Sequence, residues 1–215
     1  MRLVKKLSLA LGSLLALAFC TTTGLAQTAD LVELVKLDPT LRLDIRYASD
    51  RNFLGFPVYE EARAFLQREA AESLKKVNAE LHEEGLGLLI LDAYRPHSVT
   101  QLMWDRTPPS KRDYVADPKK GSRHNRGAAV DLTIIDLETG KPVPMPSYYD
   151  DFSQKAHHDY QGSTELARRN RSKLKELMEK HGFEALSNEW WHYDFKGWEK
   201  YPILNKQFSE LSQEP

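Results

Sequence analysis

Residues 122–135 read SRHNRGAAVDLTII. The second part, AAVDLTII (128–135), is a run of small, apolar and β-branched residues holding one carboxylate, Asp131. That composition predicts a buried strand. The first part carries His124 and ends in Gly127, a residue free to take backbone conformations closed to others. His124 and Asp131 stand seven positions apart, so in one regular strand they would face opposite sides. Gly127 can supply the irregularity that turns both toward one point. Two readings follow. Either the pair is incidental to a loop running into a strand, or it is two ligands of one metal ion. The stretch alone does not choose between them.

The missing partners lie nearer the C-terminus. FEALSNEWWHYDF (183–195) leads into a final strand and contains Glu189 and His192. Two imidazoles and a carboxylate make a three-ligand set for a catalytic Zn²⁺, with the fourth position left for water. His124, Asp131 and His192 would be those ligands, and Glu189 would be free to act as general base. Residues three apart do not share a strand face, so Glu189 must sit on a bend if it is to converge with His192. A third stretch, LDAYRP (91–96), ends a buried strand at Asp92 and presents Arg95 at the sheet rim, with Pro96 fixing the turn. A guanidinium there suits an oxyanion. Taken singly, each has a plain alternative. A lone strand histidine is ordinarily a hydrogen-bonded core or surface residue, Arg95 an ion-pair partner, and Trp190 and Trp191 core. His157-His158, in a loop, reads as solvated.

Residues 1–26 read as a signal peptide: MRLVKK is positive, LSLALGSLLALAF is apolar, and Gly24-Leu25-Ala26 offers small residues for cleavage after Ala26. The apolar run is short for a membrane span. The alternative is a lipoprotein signal using Cys20. Cleavage removes three of the 30 basic residues and none of the 31 acidic, so 27 stand against 31 in the remaining 189 residues. A net charge of about −4 disfavours a general nucleic-acid binder. The single cysteine, Cys20, leaves too, so neither disulfides nor thiolate ligands are expected in residues 27–215. That length suits one domain.

No internal repeat or linker divides the chain. Short strands are predicted at 31–37 and 43–47, a helix from Ala62 to Glu84 stopped by Gly85, a strand at 86–92 and a short helix at 97–106. Residues 136–163 read as a long functional loop. A helix follows from Thr164 to about Lys180, with Leu166, Leu174, Leu177 and Met178 inward and Gly182 ending it. The order predicts a single α+β domain, helices packed on a mainly antiparallel sheet.

Together these stretches resemble one family. SRHNRGAAVD is similar to the Ser-x-His-x-x-Gly-x-Ala-x-Asp signature of zinc D,D-peptidases, and EWWH to their Glu-x-x-His partner. The resemblance narrows to the D-alanyl-D-alanine dipeptidases, including the vancomycin-resistance dipeptidase, and spans residues 27–215: IRYAS…NFLGFPVY, DAYRP, GKPVPMPSYYDDF and ARRNRSKLKELMEKHGFEALSNEWWHY occur in the family's order. It departs at Pro146 and Tyr148-Tyr149, where a more Gly- and Phe-like pattern is expected. The resemblance implies one zinc per chain on His124, Asp131 and His192, Glu189 as base and Arg95 as stabiliser of the tetrahedral transition state. It implies Asp150 as receiver of the substrate ammonium, with Ser122 and Tyr59 near its C-terminal carboxylate. The implied partner is the small dipeptide D-Ala-D-Ala, with no nucleic acid and no membrane span in the mature chain, and the implied location is a bacterial periplasm. A carboxypeptidase acting on longer cell-wall peptides is the nearer alternative; a non-catalytic metal-binding module is the more distant one.

Overall fold

The protein is described by a computed structural model covering residues 29–211. The expected signal peptide therefore lies outside the described residues. The chain opens with β1 (Leu31–Glu33) and α1 (Leu34–Leu37), then β2 (Arg42–Leu43), β3 (Phe65–Gln67) and α2 (Arg68–His82). There follow β4 (Leu86–Asp92), α3 (His97–Arg106), β5 (Ala129–Asp136), α4 (Glu165–Lys180), β6 (Phe183–Ala185), β7 (His192–Phe195) and α5 (Phe208–Leu211).

Five strands form one sheet in the order β2-β4-β5-β7-β6, and β1 pairs with β3 in a separate antiparallel ribbon. Only β2 and β4 run parallel within the larger sheet. The expected α+β domain with a mainly antiparallel sheet is what forms. Alternation along β4 and β5 divides the side chains. Leu88, Ile90, Val130, Leu132 and Ile134 belong to the main core with Leu74, Val77 and Leu81 of α2 and Leu174 and Met178 of α4. On the other face Leu89, Leu91 and Ile135 form a small cluster capped by Tyr149 from the long loop.

Local readings differ in detail. The apolar run from Ala62 begins as β3, with Leu66 paired to Val32, before the helix starts at Arg68. Half of the first predicted strand is the short α1, whose Leu34 is fully buried. Leu166, expected inward on α4, is 48% exposed, because the buried face of that helix runs through Ala167, Arg171, Leu174 and Met178. Gly85 and Gly182 both take left-handed backbone after α2 and α4, as helix-ending glycines do.

One irregularity reshapes the sheet. Ile90 pairs with Leu132 but Asp92 pairs with Asp131, so Leu91 is an extra residue in β4. Such a bulge re-aims the following side chain. Without it Asp92 would point among the core residues; with it Asp92 lies on the face that carries Asp131.

Candidate active site

Asp131 of β5 lies directly opposite His192 of β7, so both side chains leave the sheet on the same face. His124 arrives from the 3-10 turn His124–Arg126, which ends at Gly127 in left-handed backbone with φ of 63°. The carbonyl of Gly127 accepts from the Gln67 amide at 2.8 Å, and a β-carbon at 127 would collide with Leu31. Gly127 is thus the irregularity the sequence called for. One side-chain donor atom from each of His124, Asp131 and His192 lies within 4.8 Å of the others, and all three residues are buried.

The hydrogen bonds around the two imidazoles define what faces inward. His124 Nδ1 lies 2.7 Å from the Ala93 carbonyl, which can only accept, so Nδ1 carries the proton and Nε2 presents a lone pair. His192 Nε2 lies 2.9 Å from Asp194 Oδ1, leaving Nδ1 as its inward lone pair. These inward nitrogens are 3.2 Å apart, and Asp131 Oδ1 is 3.0 Å from His192 Nδ1 and 3.4 Å from His124 Nε2. Three electron-rich atoms at such spacing repel unless a cation joins them. Burial opposes a proton on His192, but Asp131 and Asp194 outweigh it and push its pKa well above the ordinary value. A divalent metal answers the same demand, and imidazoles oriented by acceptors on their far nitrogens are the arrangement metal sites use. The residues fit a metal ion.

Glu189 reaches this centre from a turn. Its amide donates to Leu186 O at 3.1 Å and its carbonyl accepts from His192 N at 3.4 Å, so residues 186–192 fold back before β7. Glu189 Oε2 thereby comes within 3.9 Å of His192 Nδ1. Burial, with Asp131 nearby, raises its pKa to about 7. The turn is tied from behind, where His158 N donates to Ser187 O at 3.0 Å and Trp190 N to Ala156 O at 2.8 Å. His158, expected to be solvated, instead has its Nε2 buried and its ring edge-on to Tyr193. Burial pushes its pKa down to about 4, which keeps it neutral.

Arg95 is buried and held by Asp92, whose Oδ2 accepts from Nε at 3.0 Å and from a terminal nitrogen at 2.7 Å. Its guanidinium also lies 5.2 Å from the centre of the Tyr47 ring. Asp92, turned to this face by the bulge at Leu91, is therefore the anchor for the cation. Asp150 has φ of 59°, a left-handed conformation that Asp tolerates better than most residues. Its carboxyl accepts from the Tyr47 hydroxyl at 3.2 Å and from the Phe53 amide at 3.3 Å. Burial, then Asp131, raises its pKa to about 8. Tyr149, next in the chain, donates its hydroxyl to Asp131 Oδ2 at 2.8 Å. The Ser122 hydroxyl accepts from the His124 amide at 3.2 Å. His124, Asp131, His192, Glu189, Arg95, Asp150 and Ser122 all line a single cavity of about 240 Å³.

Residues 27–214 match the family described as D-Ala-D-Ala dipeptidase. The chain belongs to that family. A D-alanyl-D-alanine dipeptidase of Escherichia coli (strain K12) is 35% identical over 185 residues, 86% of this chain and 94% of that protein. Another, from Enterococcus faecium, is 38% identical over 183 residues, 75% of this chain and 89% of that protein. A solved vancomycin-resistance D,D-dipeptidase, VanXYg, in complex with a D-Ala-D-Ala phosphinate analogue, is 17% identical with a TM-score of 0.39, covering 65% of this chain and 52% of that one.

Against the roles drawn from the D-Ala-D-Ala dipeptidase resemblance, Tyr59 needs correction. It is not on the cavity wall. Its hydroxyl donates to Asp92 Oδ1 at 2.9 Å, and its ring packs on Phe208 with centroids 4.9 Å apart. The cause is the segment between the two tyrosines, which folds back so that the Val58 and Tyr59 amides both donate to the Tyr47 carbonyl. Tyr47, not singled out from sequence although it sits in IRYAS, lines the cavity instead, as does Tyr114. Asp194 was also missed; its signal was a carboxylate two residues after His192 in the same strand, hence on the same face. Tyr148, one of the departures from the family pattern, is 90% exposed and points away, whereas Tyr149 is built into the site.

Proposed function

We propose that this family member hydrolyses D-alanyl-D-alanine to two D-alanines, with one Zn²⁺ held by His124, Asp131 and His192. The observation that carries the reading is the convergence of two imidazole lone pairs and a carboxylate beside Glu189, in a cavity with a second buried carboxyl, Asp150, on its wall. The cavity, about 240 Å³, falls below the roughly 300–1,000 Å³ of pockets for drug-sized ligands and suits a dipeptide.

Zinc at these donors supplies Lewis acidity toward a carbonyl and lowers the pKa of water. Glu189, buried beside the three donors, accepts the proton of the attacking water and later delivers it to the leaving amine. Arg95, kept cationic and aimed by Asp92, offers N–H donors to the developing oxyanion. Asp150 receives the free ammonium of the substrate. A longer peptide has an amide there and leaves the buried carboxyl without an ammonium partner, a ground for rejection.

Among the described residues no helix is long and apolar enough to cross a membrane. The basic and apolar features of residues 1–26 support export with cleavage after Ala26, leaving one peptidase domain from residue 27 and placing the enzyme in the periplasm. The test compares D-Ala-D-Ala with a pentapeptide ending in D-Ala-D-Ala. D-Alanine release from the dipeptide, stopped by chelator and restored by Zn²⁺, is the predicted result; release chiefly from the pentapeptide would assign a carboxypeptidase instead.

A further inference from the structure

A dipeptide zwitterion carries an ammonium and a carboxylate. Asp150 answers the first; for the carboxylate the cavity wall offers neutral donors such as Ser122, Tyr114 and Asn188, and a full charge only where a cation serves it. Two arginines line the cavity. Arg95 is committed: it is buried, bonded twice to Asp92 and stacked over Tyr47. The other is Arg123, between Ser122 and His124.

Arg123 is held but not saturated. Its Nε lies 3.5 Å from Asp194 Oδ2, and its guanidinium rests 4.6 Å from the centre of the Trp198 ring. Its side chain is 46% exposed, and among the described residues it donates no hydrogen bond of its own. The remaining N–H groups are thus free for an anion without breaking a buried pair first.

Its position is also the right one. Tyr149, adjoining Asp150, bonds Asp131 Oδ2; Asp131 Oδ1 meets His192 Nδ1; His192 Nε2 meets Asp194 Oδ1; and Asp194 Oδ2 faces Arg123. This line of contacts runs from the Asp150 side of the three donors to the Arg123 side. Asp150 and Arg123 both line the cavity that His124, Asp131 and His192 line, so an ammonium at the first and a carboxylate at the second keep the peptide bond in the cavity of the three donors.

We propose that Arg123 is the residue that receives the substrate's C-terminal carboxylate and makes the site selective for a free acid at that end. The proposal rests on the dipeptidase reading above. A guanidinium meets a carboxylate through charge-assisted, often paired hydrogen bonds.

The experiment measures kcat/KM of the zinc-loaded protein for D-Ala-D-Ala and for its C-terminal amide. It is paired with calorimetric binding of both compounds to Glu189→Gln protein, so that recognition is read without turnover. The native protein should favour the acid by about 10- to 100-fold. Arg123→Gln should lose that factor for the acid, mainly in KM, while the amide changes little; Arg123→Lys should recover part of it. A purely structural role beside Asp194 and Trp198 would weaken acid and amide alike, and that result, or an undiminished acid preference in Arg123→Gln, overturns the proposal. If the native protein neither binds nor cleaves D-Ala-D-Ala with zinc present, the dipeptidase reading itself fails, an outcome distinct from the loss of acid preference alone.

Discussion

His124 Nε2 and His192 Nδ1 face each other at 3.2 Å, each with its other ring nitrogen already committed, to the Ala93 carbonyl and to Asp194. Without metal the site is satisfied by a proton held on His192 between Asp131 and Asp194; a divalent cation joins all three donors at once. Metal should therefore stabilise the fold as well as serve chemistry. At a free Zn²⁺ concentration about 1,000 times Kd the gain is about 4 kcal/mol, or on the order of 10 °C in Tm for a chain of this size. Thermal unfolding with Zn²⁺ and with chelator checks this; equal midpoints would contradict it. His192→Ala should lose both the metal and the shift.

Glu189 touches the centre without being needed to hold it. Its Oε2 is 3.9 Å from His192 Nδ1, outside bonding distance. Glu189→Gln keeps the shape and removes the base, so turnover should fall by about 10²–10⁴-fold while zinc content stays at one per chain. Retained turnover would reassign the base; lost zinc would make Glu189 a ligand.

Asp150 couples substrate binding to pH. Its folded pKa of about 8 lies above the ordinary carboxyl value of 3.8, so between those values the folded chain holds a proton that the unfolded chain has released. Stability in metal-free protein is therefore full below about pH 4 and declines as pH rises toward 8. Asp150→Asn should remove that decline and be more stable than the native chain at pH 8–9, by on the order of 5 kcal/mol; urea unfolding at pH 5 and pH 9 measures it. In metal-free protein the same ionisation governs binding: affinity for a substrate ammonium should improve as pH rises toward 8, whereas Asp150→Asn should bind weakly without that slope.

Gly127 makes the His124 turn. Alanine there meets both a left-handed backbone and the Leu31 side chain. Gly127→Ala should cost roughly 1–3 kcal/mol in denaturant unfolding and weaken metal binding through displacement of His124. A neutral substitution would show that the turn relaxes without cost.

The converging residues were legible because they announce themselves chemically: the three candidate donors His124, Asp131 and His192, with Glu189 beside them, are residue types with few other reasons to cluster, and Gly127 marks the needed break. The apolar runs of β4 and β5 and the helical period of α4 were legible because burial imposes them. What was not legible depended on where the chain bends. Nothing in LGLLILD marks Leu91 as an extra residue, because alternation disappears in a strand buried on both faces; yet that bulge decides whether Asp92 points to the core or to Arg95. Tyr47 and Tyr59 likewise could not be told apart before the intervening segment was seen to fold back and lay them side by side, rings 6.0 Å apart.

The central claim is tested most directly by measuring zinc content and D-alanine release from D-Ala-D-Ala in one preparation of the purified protein. The account predicts one Zn²⁺ per chain and release that falls to background on chelation and returns in step with restored zinc. Full zinc occupancy with no release, or release indifferent to chelation, would contradict it.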